Sequence, residues 1–268
     1  MYTKQDIKNQ LSALGVRAEG ITLVHTSLRS VGSLEAGGAT LLDALVEYFT
    51  EGGGLLCIPT HTWDNLGKDV PTLDLTRAES NLGVFTELAA ADARGVRSEN
   101  PTHSMAVFGD RARALEFIKD DAYVTTPTSP ESCYGKLWRE GGSVLLIGVS
   151  HNKNTFLHSV DEMLGTPNRM ADEYMTVSVK RTDGTLVERK LRLYLTDYTE
   201  DISWRFHKYE TAFRYHGCIR DGFIGDAPAQ LCSARGMKDV VELIASRSGG
   251  IDPLSDEEPI SPKLYVKK

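Results

Sequence analysis

No stretch of this sequence approaches the ~18 consecutive apolar residues that a membrane span needs, so no transmembrane helix is expected. The opening segment, MYTKQDIKNQLSALG, is polar and lacks the apolar centre of a secretory signal. Cysteine is sparse. Cys57, Cys133, Cys218 and Cys232 lie far apart with no CxxC pair, which argues against a disulfide framework. Basic charge is also in short supply: 30 Lys and Arg stand against 37 Asp and Glu, a formal net charge of −7. Without a basic stripe a nucleic-acid partner is not expected, and the acidic balance mildly favours a cationic or amine-bearing ligand. Together these absences lead us to expect a cytoplasmic protein with neither a membrane nor a nucleic acid as partner.

Several catalytic signatures are missing as well. GGSVLLIG carries no GKS or GKT, so it is not a phosphate loop. There is no GxGxxG opening a strand–helix unit, no HExxH and no GxSxG nucleophile elbow. His25, His61, Asp64 and His158 could assemble a metal site only from distant positions, because no pair has the tight spacing of a zinc motif. No metal is expected.

What is present is an alternation of strand-like and helix-like segments over 268 residues, enough chain for a substantial core. A helix over residues 3–14 is capped by Thr3. ITLVHTSL, GGGLLCIPTHTWD and VLLIGVSHNKNTFLH each read as a buried strand that turns polar at its end. Helical spacing fits ATLLDALVEYF, residues 84–93, DRARALEFI, 202–213 and 236–246, and a short strand fits 105–108. YMTVSVKRTDGTLVERKLRLYL alternates about Asp183-Gly184, a hairpin over residues 174–195. The expected fold is α/β: a three-layer α/β/α sandwich around a largely parallel or mixed sheet, with a C-terminal β-hairpin insertion. We expect one domain over 1–268, with a less regular tail at 249–268.

In such sheets, ligands meet the carboxyl ends of the strands. Four of the seven histidines lie at the three polar tips, so groups distant in sequence could converge in one cleft. HTSLRSVG offers Arg29, hydroxyls and backbone N–H groups to a phosphate, or else is a turn whose serines bond their own backbone. In PTHTWD, Asp64 could meet an ammonium beside the Trp63 ring. NPTHSMAVFG presents His103 and Ser104 just before a strand, and SPESCYGKL has Ser132 as a helix cap or a ligand contact. In NTFLHSVDEM, positions 158, 161 and 162 share one helical face. A carboxylate from Asp161 or Glu162 could fix the His158 tautomer and leave the other ring nitrogen as a base. The alternative is a local surface pair of ~0.2–0.5 kcal/mol.

Taken in order, LVHTSLRSVG, PTHTWD, NPTHSMAVFG, SPESCYGKL, VLLIGV and NTFLH resemble the aminoglycoside 3-N-acetyltransferase family, in its small bacterial branch. A weaker likeness continues through YTEDISWRF and GFIGDAPAQL, so that roughly residues 3–245 are covered. The resemblance implies acetyl transfer from acetyl-coenzyme A to an amine, on a fold distinct from the common acetyltransferase superfamily. It implies His158 as catalytic base with Asp161 and Glu162 as its acids, Asp161 being the expected holder of the ring. It assigns Arg29 and Ser30 to the coenzyme A pyrophosphate, and Ser27, His103, Ser104 and Ser132 to the pantetheine arm or thioester. His25 joins this donor-binding set through HTSLRSVG. Trp63, Asp64 and Asp197 fall on the acceptor side.

The chain departs from the family pattern in three places. Asp161 stands where glutamate is usual, Asn100-Pro101 replaces His-Pro, and Cys133 replaces a common proline. The implied acceptor is the 3-amino group of the 2-deoxystreptamine ring of an aminoglycoside, a reaction associated with antibiotic resistance. Alternative readings keep the fold and donor but take another small amine, or keep only coenzyme A binding. Backbone N–H groups near Ser27–Ser30 or the Ser104 hydroxyl are the candidate oxyanion donors. A homodimer is the commonest state for such an enzyme.

Overall fold

The computed structural model describes residues 1–195 and 201–267. The chain opens with α1 (Lys4–Leu14), where Thr3 accepts from the Asp6 amide and Asp6 returns the bond in a capping box. Then follow β1 (Ile21–Thr26), α2 (Gly38–Gly52), β2 (Leu55–Pro59), β3 (Leu73–Asp74), α3 (Val84–Ala91), β4 (Val96–Arg97) and β5 (Met105–Gly109). The middle of the chain supplies α4 (Arg111–Ile118), α5 (Cys133–Arg139), β6 (Ser143–Ile147) and α6 (Phe156–Leu164). The hairpin strands β7 (Met170–Lys180) and β8 (Leu186–Tyr194) come next. They are followed by α7 (Glu210–Tyr215), β9 (Ile219–Ile224), β10 (Ala227–Ser233) and α8 (Ala234–Arg247).

Seven strands form the main sheet in the order β4-β5-β2-β1-β6-β10-β9. Its centre, β2-β1-β6, is parallel, and the outer pairings are antiparallel, so the sheet is mixed. Strand residues alternate between two cores. Leu23, Leu55, Cys57, Val144 and Leu146 face one layer that includes residues from α4, α5, α6, α7 and α8. Val24, Leu56, Ile58, Leu145 and Ile147 face the other, with residues from α1, α2 and α3. This two-sided burial explains why the central strands read as continuous apolar runs. The expected three-layer sandwich is present, and β3, β7 and β8 form a separate three-stranded sheet.

Two local readings differ from the structure. Residues 202–213, expected as one helix, run as a 3₁₀ segment over Ile202–Tyr209 before α7 begins. β9 and β10 went unread because β9, IRDGFI, is largely exposed and β10 contains Pro228. The tail after α8 is irregular, but it is packed: Leu254, Ile260 and Tyr265 are buried in the same core as α8.

Candidate active site

The parallel centre of the sheet brings three carboxyl ends to one edge. β1 delivers His25, Thr26 and Ser27, β2 delivers Thr60 and His61, and β6 leads through Gly148 to Val149. Gly148 has φ 64°, and a Cβ there would lie 2.5 Å from Cβ of Ser30, so only glycine lets the β6 and β1 tips approach so closely. Because β5 runs antiparallel to β2, its start, not its end, reaches this edge. Thr60 N–H donates to Ser104 O (2.7 Å) and Thr62 N–H to Thr102 O (3.0 Å), which sets His103 beside His61.

A cleft of about 480 Å³ opens along this edge. His25, Ser27, His61, Trp63, His103 and His158 line it, with the Asn81–Leu82 turn and the Asn152–Thr155 segment before α6. His158 lies in the first turns of α6, buried except at the cleft. The four imidazoles are held neutral by burial. His25 and His103 are pushed down to about 3 and His158 to about 4, and His61 lies well below the ordinary value. At neutral pH each ring can therefore accept a proton as well as donate a hydrogen bond. Among the described residues, Lys153 and Asp201 are the charged side chains of the cleft lining. Asp201 draws the His158 value upward against burial, while Arg169 lowers it. Lys153 sits over the Trp204 ring at 4.8 Å from its centroid.

The rings form a column. His61 lies 4.3 Å from His103, His103 meets Tyr194 edge-on at 5.7 Å, and His158 is stacked on Tyr194 at 4.4 Å. His61 Nε2 shares a 2.7 Å hydrogen bond with the Tyr134 hydroxyl, and His103 Nδ1 shares one of 3.0 Å with Thr102 Oγ1. Among the described residues, none hydrogen-bonds to the His158 ring.

The expected carboxylate on that ring is corrected. Asp161 is buried and accepts from Arg169 Nε at 2.9 Å, and that guanidinium also forks onto Asp252 at 2.8 and 3.0 Å. Glu162 accepts from Thr128 N–H and Oγ1, from the Thr126 hydroxyl and from the Tyr194 hydroxyl. A buried cation and a ring of hydroxyls outcompete the imidazole for the two acids.

The other expected residues divide into two groups. His25, Ser27, His103 and Trp63 line the cleft. Ser30 is adjacent, donating to Ser27 Oγ at 2.9 Å, while Arg29 and Asp64 are exposed and outside the lining. Ser104 is fully buried: its hydroxyl donates to Thr60 O (2.7 Å) and accepts from Arg97 Nε (3.1 Å). Ser132 caps α5, accepting from the Tyr134 amide, and is also buried away from the cleft. In this structure the Ser104 hydroxyl is bonded to the Thr60 carbonyl and Arg97, and the Ser132 hydroxyl to the Ser129 carbonyl and the Tyr134 amide. Asp197 lies outside the described residues. Asp201, Lys153, Tyr194 and Arg97 were not singled out from sequence. YTEDISWRF marked the segment holding Asp201, whereas nothing local marks Tyr194 or Arg97. Among the described residues, no group of three or more His, Cys, Asp or Glu is placed to hold a metal ion, and no helix is long and apolar enough to cross a membrane.

The sequence profile described as aminoglycoside 3-N-acetyltransferase matches residues 23–244. Aminoglycoside N(3)-acetyltransferase IV of Salmonella sp is 30% identical over 257 residues, covering 94% of this chain and 89% of that protein. Aminoglycoside N(3)-acetyltransferase VII of Streptomyces paromomycinus is 27% identical, covering 88% and 89%. Among solved structures, AAC-IIIb in a binary complex with CoASH superposes with a TM-score of 0.78 at 25% identity, over 94% of this chain and 99% of that one. A mutant of AAC(3)-IVa in complex with a gentamicin gives 0.72 at 28% identity, over 89% and 86%.

Proposed function

The chain belongs to the aminoglycoside 3-N-acetyltransferase family, and on that premise we propose that it moves the acetyl group of acetyl-coenzyme A to the 3-amino group of the 2-deoxystreptamine ring of an aminoglycoside. The observation that supports this most is a neutral imidazole, His158, that takes no hydrogen bond from the described residues and lines the same cleft as His25 and Ser27 of the HTSL turn. The CoASH complex of AAC-IIIb and the gentamicin and apramycin complexes of AAC(3)-IVa supply the ligand classes.

An aminoglycoside amine is protonated at neutral pH and has no lone pair to attack with. Asp201 attracts the cation to the cleft, and His158 accepts a proton from the attacking nitrogen. The nitrogen bonds to the thioester carbonyl carbon, and the carbonyl electron pair moves to oxygen. Collapse of that oxyanion breaks the C–S bond and expels coenzyme A as a thiolate, and the second proton lost by the nitrogen passes to that thiolate or to water. Donors for the oxyanion come from this edge of the sheet, with the Ser27–Ser30 turn the candidate now that the Ser104 hydroxyl is committed to Thr60. Both substrates meet in one cleft, so no acetyl-enzyme is needed. Lys153 places a cation on the lining where an anionic donor would enter. Aminoglycoside resistance is the expected consequence.

Thiol release from acetyl-coenzyme A, measured with gentamicin, apramycin and simple polyamines, tests the reading, with mass spectrometry and NMR locating the acetyl group. One thiol per amide formed at the 3-amino position is expected. Release with polyamines alone would assign a different acceptor, and coenzyme A binding without release from any amine would overturn transfer itself.

A further inference from the structure

We propose that Tyr194 is a positioning residue for His158: its ring is the platform on which the imidazole is stacked, and Glu162 holds that platform in place. The inference rests on His158 acting as the base. An imidazole with no hydrogen bond from the described residues needs another restraint on its ring plane. Tyr194 lies 4.4 Å from it with planes 23° apart, and Phe206 closes the other contact edge-on at 4.8 Å and 70°. Stacking fixes the plane and leaves both nitrogens, which lie at the ring edge, unoccupied. It also offers a π-face to the imidazolium that forms when the proton arrives.

The platform is itself anchored. Tyr194 ends β8, and its hydroxyl donates to Glu162 Oε1 at 3.1 Å and contacts the Thr128 hydroxyl. Thr128 N–H and Oγ1 donate to the same carboxylate oxygen at 2.9 and 2.8 Å, so the loop before α5 and helix α6 grip the hydroxyl together. His103 packs edge-on against the Tyr194 ring. Tyr194 is not part of the cleft lining, so it acts through His158 and not on substrate. Glu162, expected to touch the base directly, reaches it through this ring. The hairpin thereby gains a role: it carries the platform to His158.

The test is a pH titration of the His158 imidazole by NMR in the native protein, Tyr194→Leu and Tyr194→Phe, alongside kcat and KM for acetyl-coenzyme A. Burial holds His158 near 4, against the pull of Asp201 and with the push of Arg169, while His61 and His103 are neutral neighbours. Removing the ring admits water, so Tyr194→Leu should raise the midpoint by about one pH unit or more and lower kcat about ten-fold, with KM within about two-fold. Tyr194→Phe keeps the stack and should leave the midpoint within a few tenths, with kcat down about three-fold from the lost anchor. Thr128→Val, which loosens the same anchor, should match it, and this pair carries the test if Tyr194→Leu fails to fold. An unmoved midpoint in folded Tyr194→Leu, or native kcat in both anchor variants beside a His158→Ala variant that has lost it, overturns the platform. A moved midpoint with native kcat keeps the platform and contradicts His158 as the base, so the two failures are distinguishable.

Discussion

Asp161 accepts a 2.9 Å hydrogen bond from Arg169 Nε, and that bond commits the carboxylate closest in sequence to His158 to a guanidinium in place of the imidazole. Both side chains are buried, and Arg169 continues to Asp252 in the C-terminal tail. The triad thus ties α6 to the tail. Arg169→Met should leave Asp161 buried without its cation and cost about 3–5 kcal/mol of stability. Asp252→Asn, at a half-buried position, should cost less. Urea denaturation checks both, and native-like stability of Arg169→Met would sink the assignment.

Asp201 acts on the His158 imidazole from a distance. It raises the His158 value, so Asp201→Asn should lower it further and move the acidic limb of the rate profile to lower pH. The same change should raise KM for a cationic acceptor, with a smaller effect at high salt, while KM for acetyl-coenzyme A stays put. Steady-state kinetics at two ionic strengths decide it; an unchanged acceptor KM would contradict the role.

Arg97 is largely buried with no hydrogen-bonded carboxylate among the described residues, and its value falls to about 10 because of that burial. It donates to Thr60 O and Glu79 O at 2.7 Å each, to Arg77 O, and to the Thr60 and Ser104 hydroxyls. These bonds fasten the β2 tip that carries His61 to the loop that carries Asn81 and Leu82. Arg97→Met should loosen the wall and raise KM about ten-fold, and lysine should recover little because it lacks the planar fork. Ser104→Ala should cost about 1 kcal/mol of stability and leave kcat nearly native. A collapse of kcat in Ser104→Ala with native stability would restore the serine as a donor in the chemistry.

The buried imidazoles also set the acid stability. His25 and His103 sit at about 3 and His151 and His158 at about 4 in the folded chain, against an unfolded value near 6.5. Their folded values are depressed, so nothing is lost above pH 6.5. Below it the unfolded chain takes up protons that the native rings refuse, and each histidine removes up to about 1.4 kcal/mol per pH unit until its folded value is reached. Denaturation midpoints should be level from pH 8 to 7 and fall steeply from 6 to 5. A flat midpoint across that range would show the rings to be hydrated.

Much of this was legible in the chain. Strands buried on both faces must be apolar throughout, and polar tips must follow where a ligand is met, so β1, β2 and β6 and the cleft histidines stood out. β9 and β10 did not, since an exposed edge strand and one bearing Pro228 carry little of that pattern. Helical spacing put 158, 161 and 162 on one face, but it is blind to competitors. Arg169 and Thr128 claim those acids through tertiary contacts that no local rule anticipates. Tyr194, meeting His158 from another sheet, is invisible for the same reason.

The central claim is that His158 is the base, and the most direct measurement is kcat for thiol release by His158→Ala beside the native enzyme, with coenzyme A affinity measured by calorimetry on both. Loss of about 10²–10⁴-fold in kcat with coenzyme A affinity unchanged is the predicted result. Native kcat in a variant that still binds coenzyme A would contradict it.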